Sequence, residues 1–400
     1  VVICPKERSL CRQVDIDRFR SLTTEVRLTR EHRLLGTHSI LAAGIAYTDN
    51  DLHRRQHGTG TRGSDFDLTV DGDFARDIHY RTRNIALYAE NLFQVTDRWR
   101  VVPGFRIEQG NTRLDGRLAY YDPVEIPDEV RHDFPLFGIR SEYQVGAEVE
   151  AYGGISQSYR PMILKDVLPE NALERTDPDL EDASGWTAEL GIRGTLGRWV
   201  RFDLGGFLLR YDNRFGSVLE NEGGVTRVFK TNVGSSLTKG LELSLDAQLV
   251  ATRTSAVSIF TATSYYDATY REGSVVSGGE NRSIVGNRVE SVPRWISRSG
   301  IRAVSGRISG TFTMNHVSST FADALNTETA PVSGAVGLVP AYTVYDLSIA
   351  GDAARWLRLR LGITNLFDKQ YFTKRPAFYP GPGIWPSDGR SLQLTAEFGW

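Results

Sequence analysis

The sequence is poor in several features on which whole classes of protein depend. Its 400 residues include only two cysteines, Cys4 and Cys11, too few for a disulfide framework or a thiolate metal centre. No run of about twenty apolar residues is present, which excludes a membrane protein built from helices. The 47 Lys and Arg residues nearly balance 49 Asp and Glu, so no basic surface for nucleic acid is expected.

Catalytic motifs are also missing. The sequence has no G-x-S-x-G, H-E-x-x-H or phosphate-binding P-loop pattern, and its Ser, His and Asp residues are not spaced like a known triad. We therefore expect that the protein is not an enzyme.

What the sequence does contain is a strict alternation of side chains. In the last eleven residues, from Arg390 to Trp400, every second side chain is apolar and those between are polar or glycine. The apolar set is Leu392, Leu394, Ala396, Phe398 and Trp400. Successive side chains on a strand point to opposite faces, so this segment has one apolar and one polar face. A strand with lipid on one side and a wet lumen on the other has this pattern.

Four other segments repeat the alternation. Their apolar residues are Trp99, Val101, Phe105 and Ile107; Ala188, Leu190, Ile192 and Leu196; Leu241, Leu243, Leu245, Ala247 and Leu249; and Leu357, Leu359, Leu361 and Ile363. The positions between them carry full charges, such as Glu108, Arg193 and Glu242. An unpaired ion in a dry core is very costly, so these charges indicate a water-filled or plugged interior. The sequence predicts an all-β fold, a large antiparallel transmembrane β-barrel; a large soluble sheet with one wet face is the alternative.

The connections between the expected strands fall into two kinds. Short turns are expected near residues 31–35, 96–97, 145–146, 197, 251–254, 305–306 and 351–354. Long polar segments are expected at 49–82, 111–133, 160–183, 212–231, 271–289, 320–339 and 367–389. Tight turns on the inner side and long loops on the outer side are typical of transmembrane barrels. The pattern predicts about fifteen strands between residues 19 and 400, with residues 1–18 as the remnant of an external loop.

The strand count has a consequence for the start of the chain. A bacterial barrel usually has an even number of strands, because both chain ends return to one side. An odd count, and a start at Val1 without a methionine or a signal peptide, predict that residues are missing before Val1. Cys4 and Cys11 would then lie in an external loop, either joined by a disulfide or as two unpaired thiols.

Several motifs occur in an order that resembles one family. The segment 363–371, ITNLFDKQY, resembles that family's "NLFD..Y" box, and Gly389 and Arg390 lead into the terminal strand. Further matching segments are IALYAE at 85–90, NLF at 91–93, PGFR at 103–106, SYRP at 158–161, ELG at 189–191, NVG at 232–234 and KGLE at 239–242. Together they resemble the barrel of TonB-dependent outer-membrane receptors over most of residues 80–400. The stretch 211–242 is most similar to the ferric dicitrate type.

The resemblance implies a barrel of about 22 strands preceded by a plug domain, so that residues 1–400 are the C-terminal part of the barrel, without the plug. It implies uptake of a ferric siderophore or a ferric citrate-like ligand across the outer membrane, energised through TonB. The implied partners are the TonB-ExbB-ExbD complex through the absent plug, the iron chelate, outer-membrane lipid and lipopolysaccharide, and the barrel assembly machinery. No cofactor is expected, and iron would enter only within the transported chelate. An importer of cobalamin or an oligosaccharide and a passive porin are the alternatives.

Two external segments carry candidate ligand-binding residues. The first set is His53, Arg54, Arg55, His57 and Arg62, and the second is Lys374, Arg375, Phe378, Tyr379 and Trp385. Arginine offers planar paired donors to the carboxylates of an anionic chelate, and aromatic residues beside cations suit a loop that grips a ligand. The alternatives are a solvated charge run for the first set and an outer aromatic girdle for the second. The protein itself is not expected to ligate a metal.

The motif residues are expected to have structural roles. Those of the box and the terminal strand would shape the turns where strands leave the membrane: Asn365, Leu366, Phe367, Tyr371, Gly389 and Arg390. Trp400 would act as an interfacial anchor and assembly signal. The acidic stretch 170–182 is expected to be solvated surface or to bridge lipopolysaccharide.

Overall fold

The computed structural model describes residues 12–34, 36–61, 66–119, 129–169, 174–222, 225–376 and 383–399. Six residues to which the sequence analysis assigned roles lie outside this description: Cys4, Cys11, Arg62, Phe378, Tyr379 and Trp400.

Fifteen strands follow one another along the path of a single antiparallel sheet. They are β1 (Gln13–Leu34), β2 (Thr37–Thr59), β3 (Arg76–Thr96), β4 (Trp99–Leu118), β5 (Glu129–Gln144), β6 (Val149–Arg160), β8 (Ala183–Leu196), β9 (Val200–Asp212), β12 (Gly234–Ala251), β13 (Ser255–Ser277), β15 (Trp295–Ser305), β16 (Ile308–Val317), β19 (Tyr342–Ala354), β20 (Leu357–Thr364) and β23 (Ser391–Phe398). The predicted all-β fold and the count of about fifteen strands are confirmed.

Shorter elements lie in the long connections. They are β7 (Glu174–Thr176), β10 (Phe215–Glu222), β11 (Val225–Asn232), β14 (Glu280–Ser283), β17 (Thr320–Phe321), β18 (Leu338–Val339), β21 (Phe372–Lys374), β22 (Trp385–Pro386) and the four-residue helix α1 (Leu164–Val167). β14 extends the large sheet beside β13, and the other short strands pair among themselves in small sheets. In the described residues, no helix has the length and apolar character needed to cross a membrane.

The predicted division into short turns and long connections is confirmed. Two to four residues join the strands at each of the seven predicted turns, which share one edge of the sheet. We call this edge the short-turn end and the opposite edge the long-loop end.

The strands run further toward the long-loop end than predicted. β1 begins at Gln13 rather than near residue 19, so residues 13–18 belong to a strand and not to a loop remnant. The expected connection 49–82 is likewise shorter, because β2 ends at Thr59 and β3 begins at Arg76. Arg20, Asp51 and Arg81 still lie opposite one another in register. The ladder needs only backbone groups, so it continues where the apolar alternation has ended.

The two faces of the sheet differ as predicted. On one face large apolar side chains are exposed, including Leu190 at 72% and Leu394 at 74%. On the other face charges are paired: Glu150 Oε2 lies 2.6 Å from Arg100 Nη2, and Glu150 Oε1 lies 2.7 Å from Arg193 Nη2. We call these the outer and inner faces.

A buried apolar cluster lies on the inner face toward the long-loop end. Its members come from strands β3 to β5 and from the connection between β6 and β8: Ile78, Tyr80, Leu114, Leu118, Val130, Val167, Leu168 and Leu180. We call residues 161–169, which contain α1 and contribute to this cluster, the inner lid. The inner lid therefore packs against the inside of the sheet instead of standing above it.

Candidate functional site

A cavity of about 340 Å³ lies between the inner lid and the inner face. Its walls come from strands β1 to β5, from Tyr159 at the end of β6, and from Met162, Ile163 and Val167 of the inner lid. This volume is at the lower end of the range of about 300–1,000 Å³ for pockets that hold small ligands.

Glu108 of β4 is the centre of the polar wall. It is 8% exposed, and its carboxylate accepts hydrogen bonds from Tyr159 Oη at 2.6 Å and from Asn84 Nδ2 at 3.1 Å. Arg106 forms an ion pair with the same carboxylate. Because Arg106 neutralises Glu108 and all three partners hold its carboxylate in place, the wall is a fixed set of polar groups that can orient a polar ligand.

Asp182 attaches the inner lid to the wall. Its Oδ2 lies 2.9 Å from Nδ1 of His132 on β5, and its Oδ1 accepts the N–H of Met162 at 2.6 Å. Asp166 acts similarly within the lid: its carboxylate lies 3.0 Å from Arg160 Nη2 and accepts the N–H of Ile163 at 2.9 Å.

Apolar packing adds to these polar ties. Val167 and Leu168 of the inner lid are each 4% exposed and belong to the cluster with Tyr80 and Leu114. Burial of one such side chain contributes about 1.5–3 kcal/mol relative to leaving it in water. The inner lid is therefore a packed part of the barrel mouth.

The described residues of the first predicted ligand set, which leave out Arg62, do not face one common site. His53, Arg54 and Arg55 lie in β2, not in a loop. His53 and Arg55 share the outer parity of the exposed Ile45 and Tyr47, whereas Arg54 lies on the opposite face.

The four described residues of this set already have contacts within the sheet. The ring of His53 stacks on His79 with centroids 3.9 Å apart, and its Nε2 lies 2.7 Å from Asp77 Oδ1. Arg55 lies over the ring of Phe74 at 5.2 Å, and the N–H of His57 donates to Asp15 Oδ1 at 2.8 Å.

Two charged groups near the long-loop end have shifted pKa values. The hydroxyl and N–H of Thr69, and then the hydroxyl of Thr61, donate to Asp67 and lower its pKa to about 2. Hydrogen bonds to Asp17 raise the pKa of Arg54, whose Nη2 lies 2.7 Å from Asp17 Oδ2. Both Asp67 and Arg54 stay charged at neutral pH. The positive charge of Arg54 is balanced by Asp17 within the sheet.

The second set is partly brought together. Lys374 of β21 lies opposite Trp385 of β22, and both side chains are exposed. Arg375 instead joins two connections, because its Nε donates to the carbonyl of Leu338 at 3.0 Å and its Nη1 to that of Gly334 at 3.2 Å. Among the described residues of this set, Lys374 and Trp385 therefore have exposed side chains that a ligand could contact.

Sequence reasoning assigned no binding role to the polar residues of the cavity. Glu108 is one of the polar residues that alternate with the apolar residues of β4. This alternation is the one sequence signal that could have placed Glu108 on the inner face. Asp182 was expected on a solvated or lipid-bridging surface, but its side chain is 12% exposed and paired with His132. Glu174 of the same acidic stretch is also 14% exposed and lies 3.3 Å from Lys230 Nζ. In the part of the chain that the structure describes, no group of three or more His, Cys, Asp or Glu residues could hold a metal ion.

Comparison with known families decides the identity of the fold. The family model described as "TonB dependent receptor-like, beta-barrel" matches residues 11–366. The chain belongs to the TonB-dependent receptor family of β-barrels. A search of curated proteins gave no match.

Solved structures similar to this receptor barrel include several transporters. The ferric citrate transporter FecA, in its unliganded form, has a TM-score of 0.77 and 20% sequence identity, covering 96% of this chain and 55% of that one. The siderophore receptor PiuA from Acinetobacter baumannii has a TM-score of 0.74 and 18% identity, covering 96% and 56%. The copper transporter OprC has a TM-score of 0.70 and 17% identity, covering 96% and 57%. The chain thus spans little more than half the length of these structures, and at these identities the likeness shows the fold alone.

The family motif of the receptor barrel has a local structural explanation at Asn365. This residue is 6% exposed and has a φ of 50°, a left-handed conformation that Asn adopts more readily than most residues. Its N–H donates to Asp346 Oδ1 at 2.9 Å, and its Oδ1 accepts the N–H of Lys369 at 2.8 Å. Its Nδ2 donates to the carbonyls of Lys369 at 3.0 Å and Asp388 at 3.3 Å. Asn365 therefore ties the two ends of the connection between β20 and β23 together.

Neighbouring motif residues continue this arrangement. The N–H of Leu366 donates to the carbonyl of Tyr345 at 2.7 Å, and the Phe367 ring meets the Tyr345 ring edge-on at 5.3 Å. Tyr371 packs against Tyr342 with ring centroids 4.5 Å apart.

The return into the terminal strand is fixed by one carboxylate. Asp368 Oδ1 accepts the N–H of Arg390 at 2.9 Å. A Cβ added at Gly389 would lie 3.0 Å from the same oxygen, so glycine permits this close approach.

We expect Asn365→Ala to lower the free energy of unfolding of the full-length receptor by about 2–3 kcal/mol, since it strains φ and leaves buried groups without partners. Asn365→Gly removes the same side chain but tolerates the positive φ, so it should cost about 1 kcal/mol less. Urea unfolding in lipid vesicles, followed by heat-modifiable gel mobility, measures both. Wild-type stability in both variants would contradict the structural role.

Proposed function

We propose that this chain is the barrel portion of an outer-membrane receptor that imports an anionic ferric chelate, a siderophore or a ferric citrate-like ligand, energised through TonB. The observation that carries the proposal is the family match over residues 11–366. The apolar outer face supports a location in the outer membrane, with the short turns on the periplasmic side. This orientation places the cavity and the inner lid toward the outside.

The inner lid favours gated import over a passive porin. A passive pore needs an open wet lumen at its mouth, whereas Val167 and Leu168 are buried there against Tyr80 and Leu114. Asp182 adds hydrogen bonds to the same contact. A mouth with a packed inner lid suits a receptor that captures its ligand before a separate step opens the path.

The choice of an iron chelate rests on similarity and on side-chain chemistry. FecA is a ferric citrate transporter and PiuA a siderophore receptor, and both are similar in fold to this chain. The exposed Lys374 beside Trp385 offers a cation and an aromatic surface to an anionic ligand. The likeness to the copper transporter OprC, and import of cobalamin or an oligosaccharide, define the competing ligands. The barrel itself would supply no cofactor, and iron would be part of the cargo.

The proposed partners follow from the family. TonB with ExbB and ExbD would act through a plug domain, outer-membrane lipid and lipopolysaccharide would surround the outer face, and the barrel assembly machinery would insert the protein.

We expect the complete gene to restore growth of an iron-starved Gram-negative host supplied with ferric citrate. The same gene in a host that lacks TonB should restore none, because uptake is energised. Colony growth with ferric citrate, a ferric catecholate or ferric chloride alone compares the ligands. Rescue by the catecholate alone would remove the citrate assignment, and equal rescue without TonB would indicate a passive pore.

A further inference from the structure

Six exposed arginines lie at the short-turn end of the barrel. We call them the rim arginines: Arg33, Arg98, Arg198, Arg253, Arg307 and Arg355. Five of them lie within a different short turn each, Arg33 lies two residues before a sixth turn, and the seventh turn carries Glu148 instead. The sequence analysis recognised these turns but gave the arginines no role.

The rim arginines differ from the arginines of the inner face. Arg100 and Arg193 are held by carboxylates at 2.6 and 2.7 Å. No rim arginine forms an ion pair with another residue in the described part of the chain. Six exposed guanidinium groups at one edge are therefore available to an external anion.

Tryptophans place this edge at the level of lipid headgroups. Trp99, Trp199 and Trp356 each follow a rim arginine directly in sequence, and they are 40%, 42% and 55% exposed. Trp99 shares the outer parity of Phe105, and Trp356 stacks on Phe398 of the outer face at 6.0 Å. Tryptophan favours the boundary between hydrocarbon and water, so the adjacent guanidinium groups lie where phosphates are.

Most carboxylates at the same edge already have partners. Glu31 lies 3.7 Å from His38, Glu148 accepts a hydrogen bond from Thr195 at 3.0 Å, and Asp352 lies 3.7 Å from Arg358. Asp97 also lies there, and Glu142, Glu150 and Glu397 at the same depth each lie within 3.0 Å of Arg100 or Arg360. The rim therefore keeps an excess of positive charge beside the lipid-facing surface.

We infer that the rim arginines bind the phosphate headgroups of anionic glycerophospholipids in the periplasmic leaflet. Arginine donates paired N–H groups to phosphate oxygens, and each such cation near a membrane surface strengthens association with anionic lipid. The inference rests on the orientation in the proposed function, but it does not depend on which ligand is imported.

A lipid titration of the full-length receptor in detergent tests this inference. The triple variant Arg98→Gln, Arg198→Gln, Arg355→Gln removes three rim arginines. The matched control, Arg83→Gln, Arg113→Gln, Arg131→Gln, removes three exposed arginines near the long-loop end, with the same change in charge. Native mass spectrometry then counts bound short-chain phosphatidylglycerol and phosphatidylcholine, and heat-modifiable mobility verifies folding of each variant.

We expect the dissociation constant for phosphatidylglycerol to rise about 10- to 100-fold in the rim variant and to stay unchanged in the control. Phosphatidylcholine should bind more weakly than phosphatidylglycerol to the unaltered protein. Equal loss in both variants, or no loss in the rim variant, would overturn the inference. Displacement of phosphatidylglycerol by millimolar inorganic phosphate would assign the rim to free phosphate instead. The lipid titration does not depend on transport activity. A failure of the proposed import function would therefore not change its result, and the two proposals can be refuted independently.

Discussion

Leu190→Arg is expected to destabilise the folded receptor by about 2–4 kcal/mol, the cost measured for a cation at the bilayer midplane on the lipid face of a barrel. Leu190 is 72% exposed on the outer face of β8. It lies six residues before Leu196 at the short-turn end, which corresponds to roughly 14 Å along the membrane normal for a tilted strand. Leu190 is therefore near the middle of the hydrocarbon, where an arginine has no water within easy reach.

Glu189 provides the matched control for this change. It is the neighbouring residue at the same depth, is exposed, and points to the inner face. Glu189→Arg places the same cation in the wet lumen, so we expect a change in stability within about 1 kcal/mol.

Urea unfolding of the full-length receptor in lipid vesicles measures both variants. If Leu190→Arg and Glu189→Arg were equally stable, the assignment of the outer face to lipid would be wrong. Oxygen accessibility of nitroxide labels at Leu243, Leu359 and Leu394 gives an independent reading of the same face.

The strand alternation could be predicted from sequence because it is local. Neighbours such as Glu189 and Leu190 carry the contrast between lumen and lipid within two residues, and the turns separate the strands clearly. This contrast sufficed to predict the count of fifteen strands and the edge on which the short turns lie.

The ends of the strands were harder to predict for a physical reason. Where both faces of a strand meet water, its apolar side chains no longer alternate with polar ones. The backbone hydrogen bonds of β2 nevertheless continue from Asp51 to Thr59. The segment that holds His53, Arg54 and Arg55 therefore resembles a polar loop in sequence. Counting every second residue along β2 from Ile45 and Tyr47 would have shown that Arg54 lies on the opposite face from His53 and Arg55.

The cavity could not be predicted because its contacts are distant in sequence. His132 and Asp182 are 50 residues apart, and nothing near either residue indicates the other. An acidic stretch in a long connection is usually solvated, so the burial of Asp182 depends on the path that the inner lid takes into the barrel.

Asp182→Ala is expected to release the inner lid and weaken ligand binding. The change removes the acceptor for the N–H of Met162 and the partner of His132, both on the wall of the cavity. The ring nitrogen of His132 and the N–H of Met162 are then left without their acceptor, and each unsatisfied group of this kind costs about 1–3 kcal/mol. The packing of Val167 and Leu168 opposes release, so the lid should open as a local unfolding event and not with the whole barrel.

Hydrogen exchange of the full-length receptor tests this expectation. Amides of residues 162–168 should exchange at least about 100-fold faster in Asp182→Ala, since every 1.4 kcal/mol is a factor of ten, while those of β12 and β13 stay unchanged. Asp179→Ala is the control, because Asp179 lies in the same connection but is exposed. The affinity for the imported ligand should fall about tenfold or more in the first variant alone. Faster exchange without a loss of affinity would show that the inner lid is structural and that the ligand binds elsewhere in the barrel mouth, whereas unchanged exchange would contradict the role of Asp182 in holding the lid.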